Sequence, residues 1–495
     1  MNHAHTQARR LIAISLGLFV FSIYLLAYRG GFHSVDEVSM FAVTENLVKF
    51  GQVHTDQIAW TQWTTSQAEA QGFFGRDGHV YSKKGLALSL AQAPLYLIAL
   101  YLPGIGMLQT VSLLNAGLTA LTVMLIFMFA WRLGYGPVTA VATALIYGVA
   151  TIAIVYAKYL FSEPLAGFLL LLTVYMLFVY RQEGGGRHTG IAGLAAGFAV
   201  LTRANNLFLL PAFGLYLLWV LYHRPAKPSD AKPRPALLFS KPSLAAVLSF
   251  GLGLALPGLI LLTYNALRSG NPLETGYDLT LFSSNFGLGL YKLLFSPLRG
   301  LFVYSPILLL SLPGWWRFQR MHRAEAWLML GCVSITLGLF SFWSSGEGLS
   351  WGSRFLVPVV PFFGLMLAPI VDQVAGRKVA ASQVVNTAPI PNNPPRHHTT
   401  RTTRYALRTT SHVLRPTFYT LLSLSLLIHL LGIAINPWVY LAQLQADFGG
   451  EFFLENTAAL YDFRYSQIVG QLQSWSLVNA DLAWLRWGFD PPAFG

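Results

Sequence analysis

Charge is what this chain has least of. Asp, Glu, Lys and Arg make up 11% of its 495 residues, whereas soluble domains carry about 25%, so a water-soluble globular domain is excluded. Cysteine is nearly absent: Cys332 stands alone inside an apolar run, which removes disulfides and thiolate metal clusters as organising features. No internal repeat is visible that would signal a transporter built from two related halves. Acidic residues are few, 20 against 33 basic ones, for a net charge of +13. That excess fits the Lys and Arg that cytoplasmic loops of membrane proteins collect, and no nucleic-acid partner is expected.

What is present is apolar length. Hydrophobic residues make up 54% of the chain, and runs of about 20 recur, the pattern of an all-α polytopic membrane protein. The first run, "LIAISLGLFVFSIYLLAY", exceeds a signal-peptide core and has no small-residue cleavage site after it, so it reads as a retained span. Further spans are expected at 108–131, 137–156, 162–180, 189–203, 205–222, 243–265, 301–316, 325–344, 355–373 and 417–435. The stretch "GLALSLAQAPLYLIALYLPGIG" is expected to lie in the outer interface instead of crossing. With that choice and a cytoplasmic N-terminus, 20 of the 33 basic residues fall inside, as the positive-inside bias requires. The expectation is about eleven transmembrane helices with outer interfacial helices, in a multi-pass protein of the cell membrane, bacterial cytoplasmic membrane by preference.

Three regions follow. Residues 1–374 form a transmembrane core whose outer loop is 29–107; 375–416 form a basic cytoplasmic linker rich in Pro, Thr and Arg, expected to be mobile; 417–495 hold the last span and a small outer cap. In this topology the unusual polar residues gather on the outer side: Asp36, Glu37, Lys83, Lys84, Lys158, Glu163, Arg203, Arg268, Asp278, Lys292, Arg299, Glu347 and Arg354. Ionisable groups at span ends are costly unless they serve a site, and cations converging at an outer membrane surface suit an anionic lipid head group such as a phosphate.

The stretch "HSVDEVSMFAVTENLVKFGQ" opens with an acidic pair. "SVDE" reads as a capping box, with Ser34 at the N-cap and Glu37 at N3. Met40, Val43, Leu47 and Phe50 follow at helical spacing, so a helix lying on the outer interface is expected. Asp36 is then left over, held on a rigid helix start. A fixed carboxylate beside a phosphate-binding cluster is what a general base needs to activate a hydroxyl. His33 and His54 invite a zinc reading with these carboxylates, but 21 residues apart they lack ligand-like spacing. Arg203 can also be read as a cation snorkelling at a span end, and Trp343, Trp351 and Tyr304 as belt aromatics.

With "YSKKGLALSLAQAPLYL", "YAKYLFSEPLAGFLLLL", "GLAAGFAVLTRANNLFLLP", "YNALRSGNPLETGY", "LYKLLFSPLRGLFVYSPILLL" and "WGSRFLVPVVPF" in that order, the chain resembles the polyprenyl-phosphate-dependent glycosyltransferases of the GT-C class. Within it, the resemblance is to family 39, the protein O-mannosyltransferases and aminoarabinose transferases. The resemblance implies a GT-C-like fold and transfer of a sugar from a polyprenyl-phosphate donor to a glycan, lipid or protein acceptor on the outer face. It implies Asp36 as catalytic base or metal-assisting carboxylate with Glu37 beside it, Lys83 or Lys84 on the donor phosphate, and Arg354 as a second phosphate contact. Lys158, Glu163, Arg203, Arg299 and Tyr304 are weaker substrate-site candidates. A divalent cation is left open. The competing readings are a lipid-linked saccharide transporter or flippase, which would want charges along a path through the bilayer, and a non-catalytic scaffold.

Overall fold

The computed structural model describes residues 3–58, 72–223, 241–277, 279–344, 350–376, 401–447 and 457–486. Helices α1 (His3–Leu26) and α2 (Val35–Phe50) are followed by a two-stranded antiparallel hairpin, β1 (Gly72–Phe74) and β2 (Val80–Ser82), with Phe73 opposite Tyr81. Then come α3 (Ala87–Tyr101), α4 (Met107–Arg132), α5 (Pro137–Val149), α6 (Glu163–Glu183) and α7 (Gly186–Thr202). The later long elements are α8 (Leu210–His223), α9 (Lys241–Ser269), α10 (Arg323–Ser341), α11 (Val360–Val374) and α12 (Arg401–Ala434).

The chain is an all-α polytopic membrane protein: eight of the described helices are long and apolar enough to cross a bilayer. Three of the eleven expected spans are shorter or broken. The 137–156 segment is a 13-residue helix, α5, followed by a single turn, Ala153–Tyr156; α5 rises roughly 20 Å against a hydrocarbon core of ~30 Å. The 189–203 segment is the 17-residue α7. The 301–316 segment breaks at Ser305, which precedes Pro306 and is held out of the helical region at φ −131°, ψ 68°, as a residue before proline tends to be. Helix α3, within the stretch expected to lie in the interface, has 15 residues, short of the ~20 a span needs.

Part of the expected linker, 377–400, lies outside the described residues. From Arg401 the backbone is already helical, so the last helix starts earlier than the expected 417. Pro416 lies within this helix, and no Gly or Pro interrupts 401–415 before it.

The core is continuous, joining α1, α4, α5, α6 and α11, with nearly every side chain of α11 buried. Helices α7 and α9 pack closely: Gly193 stands where a Cβ would meet Phe250 O at 2.0 Å. Small residues let membrane helices approach in this way. Charged groups mark the two ends of the bundle. Glu163 opens α6 in the cluster described below, and at its far end Arg181 pairs with Glu325 at 2.5 Å. A 21-residue helix separates these ends by about 30 Å, the thickness of a bilayer core.

Candidate active site

Helix α2 begins where the sequence places it, with Ser34 at the N-cap and Gly51 closing it in the left-handed conformation. The capping box does not form. Ser34 makes no side-chain cap bond. Glu37, fully buried, accepts instead from His33 N at 2.6 Å and Leu160 N at 3.1 Å. The reason is tertiary: the turn before α6 brings a second orphan amide within reach, and both Glu37 oxygens are taken by backbone donors. Burial pushes the Glu37 carboxyl up to about 8 against the pull of these amides and Arg29. Glu37 thus ties the loop after α1 to the loop before α6. Of the expected interfacial face, Met40 and Val43 are buried, whereas Phe50 is exposed.

That tie sets Asp36 beside two cations. Lys84 Nζ lies 3.0 Å from Asp36 Oδ1, and Arg354 NH2 lies 3.0 Å from Asp36 Oδ2. Arg354 Nε also stands 3.1 Å from Glu163 Oε1, as an ion-pair contact and not an aligned hydrogen bond. Arg203 donates to the same Glu163 oxygen. Phe161 and Phe355 flank the Arg354 guanidinium, and Phe355 and Phe340 that of Arg203. Three cations therefore share two carboxylates in a mostly buried chain, Lys84–Asp36–Arg354–Glu163–Arg203. Burial raises the Asp36 pKa, but Lys84 and Arg354 outweigh it and hold the group at about 2. Asp36 and Glu163 both sit in the first turns of their helices, where backbone N–H groups and the macrodipole favour negative charge.

Lys84 is placed by its neighbour. Gly85 lies against the C-terminus of α7, where a Cβ would meet Leu201 O at 2.3 Å. Lys83 goes elsewhere: with Arg76, Phe73, Glu274 and Tyr277 it lines an open cavity of about 500 Å³. The bend that follows β2 thus separates the two lysines that the sequence left as alternatives.

Other candidates lie apart. Lys158 donates to Ile433 O at 2.8 Å and pairs with Asp481 Oδ2 at 3.0 Å, and Arg29 reaches the same oxygen at 3.3 Å. This buried group seats the C-terminal segment, whose Ala483 N donates to Tyr28 O. Arg299 is buried on the 296–300 turn, and Tyr304, facing Trp351 edge-on at 5.0 Å, donates its hydroxyl to Leu298 O at 2.7 Å. Arg268 anchors the hairpin by donating to Ser82 O at 2.9 Å. The sequence reading passed over Arg29 and Asp481, whose pairing leaves no local pattern in the chain.

The carboxylates of Asp36 and Glu163 face Lys84, Arg203 and Arg354, so their donor atoms are committed to cations and do not converge as a metal-ligand set. His33 does not join His54. It stacks on Tyr159 at 4.1 Å between ring centroids, whereas His54 stacks on His79 at 4.3 Å.

Residues 93–266 match the family model described as "Dolichyl-phosphate-mannose-protein mannosyltransferase". The mannosyltransferase match takes in Glu163 and Arg203 and ends just before Arg268. No curated protein matches the chain significantly. Among solved structures the chain is similar to ArnT from Cupriavidus metallidurans bound to undecaprenyl phosphate, at 14% identity over 93% of this chain and 75% of that one, TM-score 0.48. It is also similar to the oligosaccharyltransferase AglB from Archaeoglobus fulgidus, in complex with an inhibitory peptide and a dolichol-phosphate, at 11% identity over 92% and 61%, TM-score 0.46. A third is the arabinosyltransferase EmbB from Mycobacterium smegmatis, at 13% identity over 93% and 41%, TM-score 0.45.

Proposed function

We propose that the chain is a membrane glycosyltransferase that moves a sugar from a polyprenyl-phosphate donor to an acceptor at the outer face of the cell membrane, with the N-terminus in the cytoplasm. The observation that carries this reading is the joint grip of Lys84 and Arg354 on Asp36, 3.0 Å each. The matched family description names a dolichyl-phosphate mannose donor, which is a sugar on a polyprenyl-type phosphate. Residues 1–374 would form the catalytic core, and 417–495 the last span and a small outer cap.

In this proposal the cluster has two states. Without donor, Asp36 is a carboxylate held at about 2, too weak a base to take a proton from a hydroxyl near neutral pH. A phosphate entering the site competes for Lys84 and Arg354, since Arg pairs with phosphate as it does with carboxylate. As the cations turn toward the phosphate, Asp36 loses the charges that depress it and becomes a stronger base. It then accepts the acceptor's hydroxyl proton while the acceptor oxygen attacks the anomeric carbon. The C–O bond to the lipid phosphate breaks, and Lys84 and Arg354 stabilise the charge that grows on that leaving group. Glu163 and Arg203 position Arg354, Glu37 positions Asp36, and Lys83 lines the neighbouring cavity.

The test is Asp36→Asn in purified protein given a radiolabelled polyprenyl-phosphate sugar. Turnover should be lost and donor binding kept; unchanged product formation removes Asp36 from the mechanism.

A further inference from the structure

We propose that His54, Asp56 and His79 form a binding site for one divalent transition-metal ion of the zinc type, on the outer-loop hairpin and separate from the Asp36 cluster. The argument begins with register. His54 forms an antiparallel bridge with Tyr81, and Thr55 N donates to Val80 O at 2.7 Å. Two residues further on, Asp56 opens a single 3-10 turn, and two residues before Tyr81 the other segment reaches His79. The side chains do meet: Asp56 Oδ2 is 2.5 Å from His79 Nδ1 and 3.4 Å from His54 Nδ1. One ligand atom from each residue lies within 4.8 Å of the others.

The surrounding bonds orient these groups as metal ligands need. In the tautomer with the proton on His54 Nε2, Gln52 Oε1 at 2.9 Å accepts it, and Nδ1 keeps a lone pair available to an ion. Asp56 Oδ1 accepts from Val80 N at 2.7 Å, which fixes the carboxylate and leaves Oδ2 for a single metal bond. Such outer partners are what hold ligating His and Asp in place. Asn46 Nδ2 is 3.0 Å from His54 Nδ1 and 2.7 Å from His54 O, so it keeps the carbonyl when Nδ1 turns to an ion.

Two imidazoles and a carboxylate suit a zinc-type ion and leave coordination positions for water. Binding would open the His79–Asp56 distance toward the roughly 3.3 Å between ligands of a tetrahedral ion with ~2.0–2.1 Å bonds. His79 and Asp56 are 44% and 39% exposed, so an ion can reach them from solvent. The ion would cross-link the segment after α2 to the turn just before β2, the strand that leads to Lys83 and Lys84. The proposal does not depend on the transferase reading.

The experiment uses full-length protein in detergent, stripped with chelator and titrated with ZnCl2, beside His79→Ala and Asp56→Asn. The wild type should take up one more equivalent of zinc per chain than either variant. Amide exchange across 72–82 should slow with zinc in the wild type only. Equal uptake by all three proteins overturns the site. If a variant folds poorly the wild type alone decides, because absence of zinc-dependent protection at 72–82 also overturns it.

Discussion

Arg354 NH2 lies 3.0 Å from Asp36 Oδ2, joining the start of the segment that leads into α11 to the first turn of α2. Both side chains are only 10% exposed. Removing one partner of such a pair strands the other's charge in a poorly hydrated place. Arg354→Ala should therefore lower unfolding stability by ~3–5 kcal/mol, read by thermal unfolding in detergent, and should abolish binding of the polyprenyl-phosphate donor. Arg354→Lys should recover part of the stability but little donor affinity, because an ammonium cannot bridge two oxyanions as a planar guanidinium does.

Lys84 and Lys83 should separate kinetically. Lys84→Ala is expected to reduce kcat on the order of 100-fold, the scale of one lost charge-stabilising contact. Lys83→Ala, facing the adjoining cavity, should act mainly on KM. The reverse order in steady-state assays would exchange the roles assigned to the two lysines.

Glu37 should leave a signature in pH. Its carboxyl is raised from 4.5 to about 8, chiefly by burial, so the folded protein holds that proton more tightly than the unfolded chain does. The associated stability is fully present below 4.5 and is lost as pH rises through about 8. Glu37→Gln should flatten that part of the stability–pH profile. It should also lower overall stability by about 1–3 kcal/mol, since one backbone amide loses its acceptor.

Asp36 has the opposite sign. Lowered from 3.8 to about 2, it contributes stability that is present above 3.8 and lost as pH falls through about 2. Asp36→Asn should erase this acid limb in acid-unfolding titrations.

Asp481 should be a stability residue more than a catalytic one. Buried between Lys158 and Arg29, it should cost ~3–5 kcal/mol when changed to Ala, with the C-terminal segment becoming more accessible to limited proteolysis. Donor affinity should change far less than in Arg354→Ala.

The amino-acid sequence alone determined what could be read from periodicity and charge scarcity. These were a polytopic helical membrane protein, the start of α2 at Ser34, and a set of polar residues too costly to lie idle at span ends. Hydrophobic length and helix starts are local properties, so they survive in one dimension. The tertiary structure decided which polar residues meet. It sent Lys84 to Asp36 and Lys83 to a cavity, gave Glu37 the Leu160 amide in place of a capping box, assigned Lys158 to Asp481, and brought His79 to His54 in place of His33. Ion pairing depends on distances of 3–4 Å between atoms far apart in the chain, and only packing brings them that close.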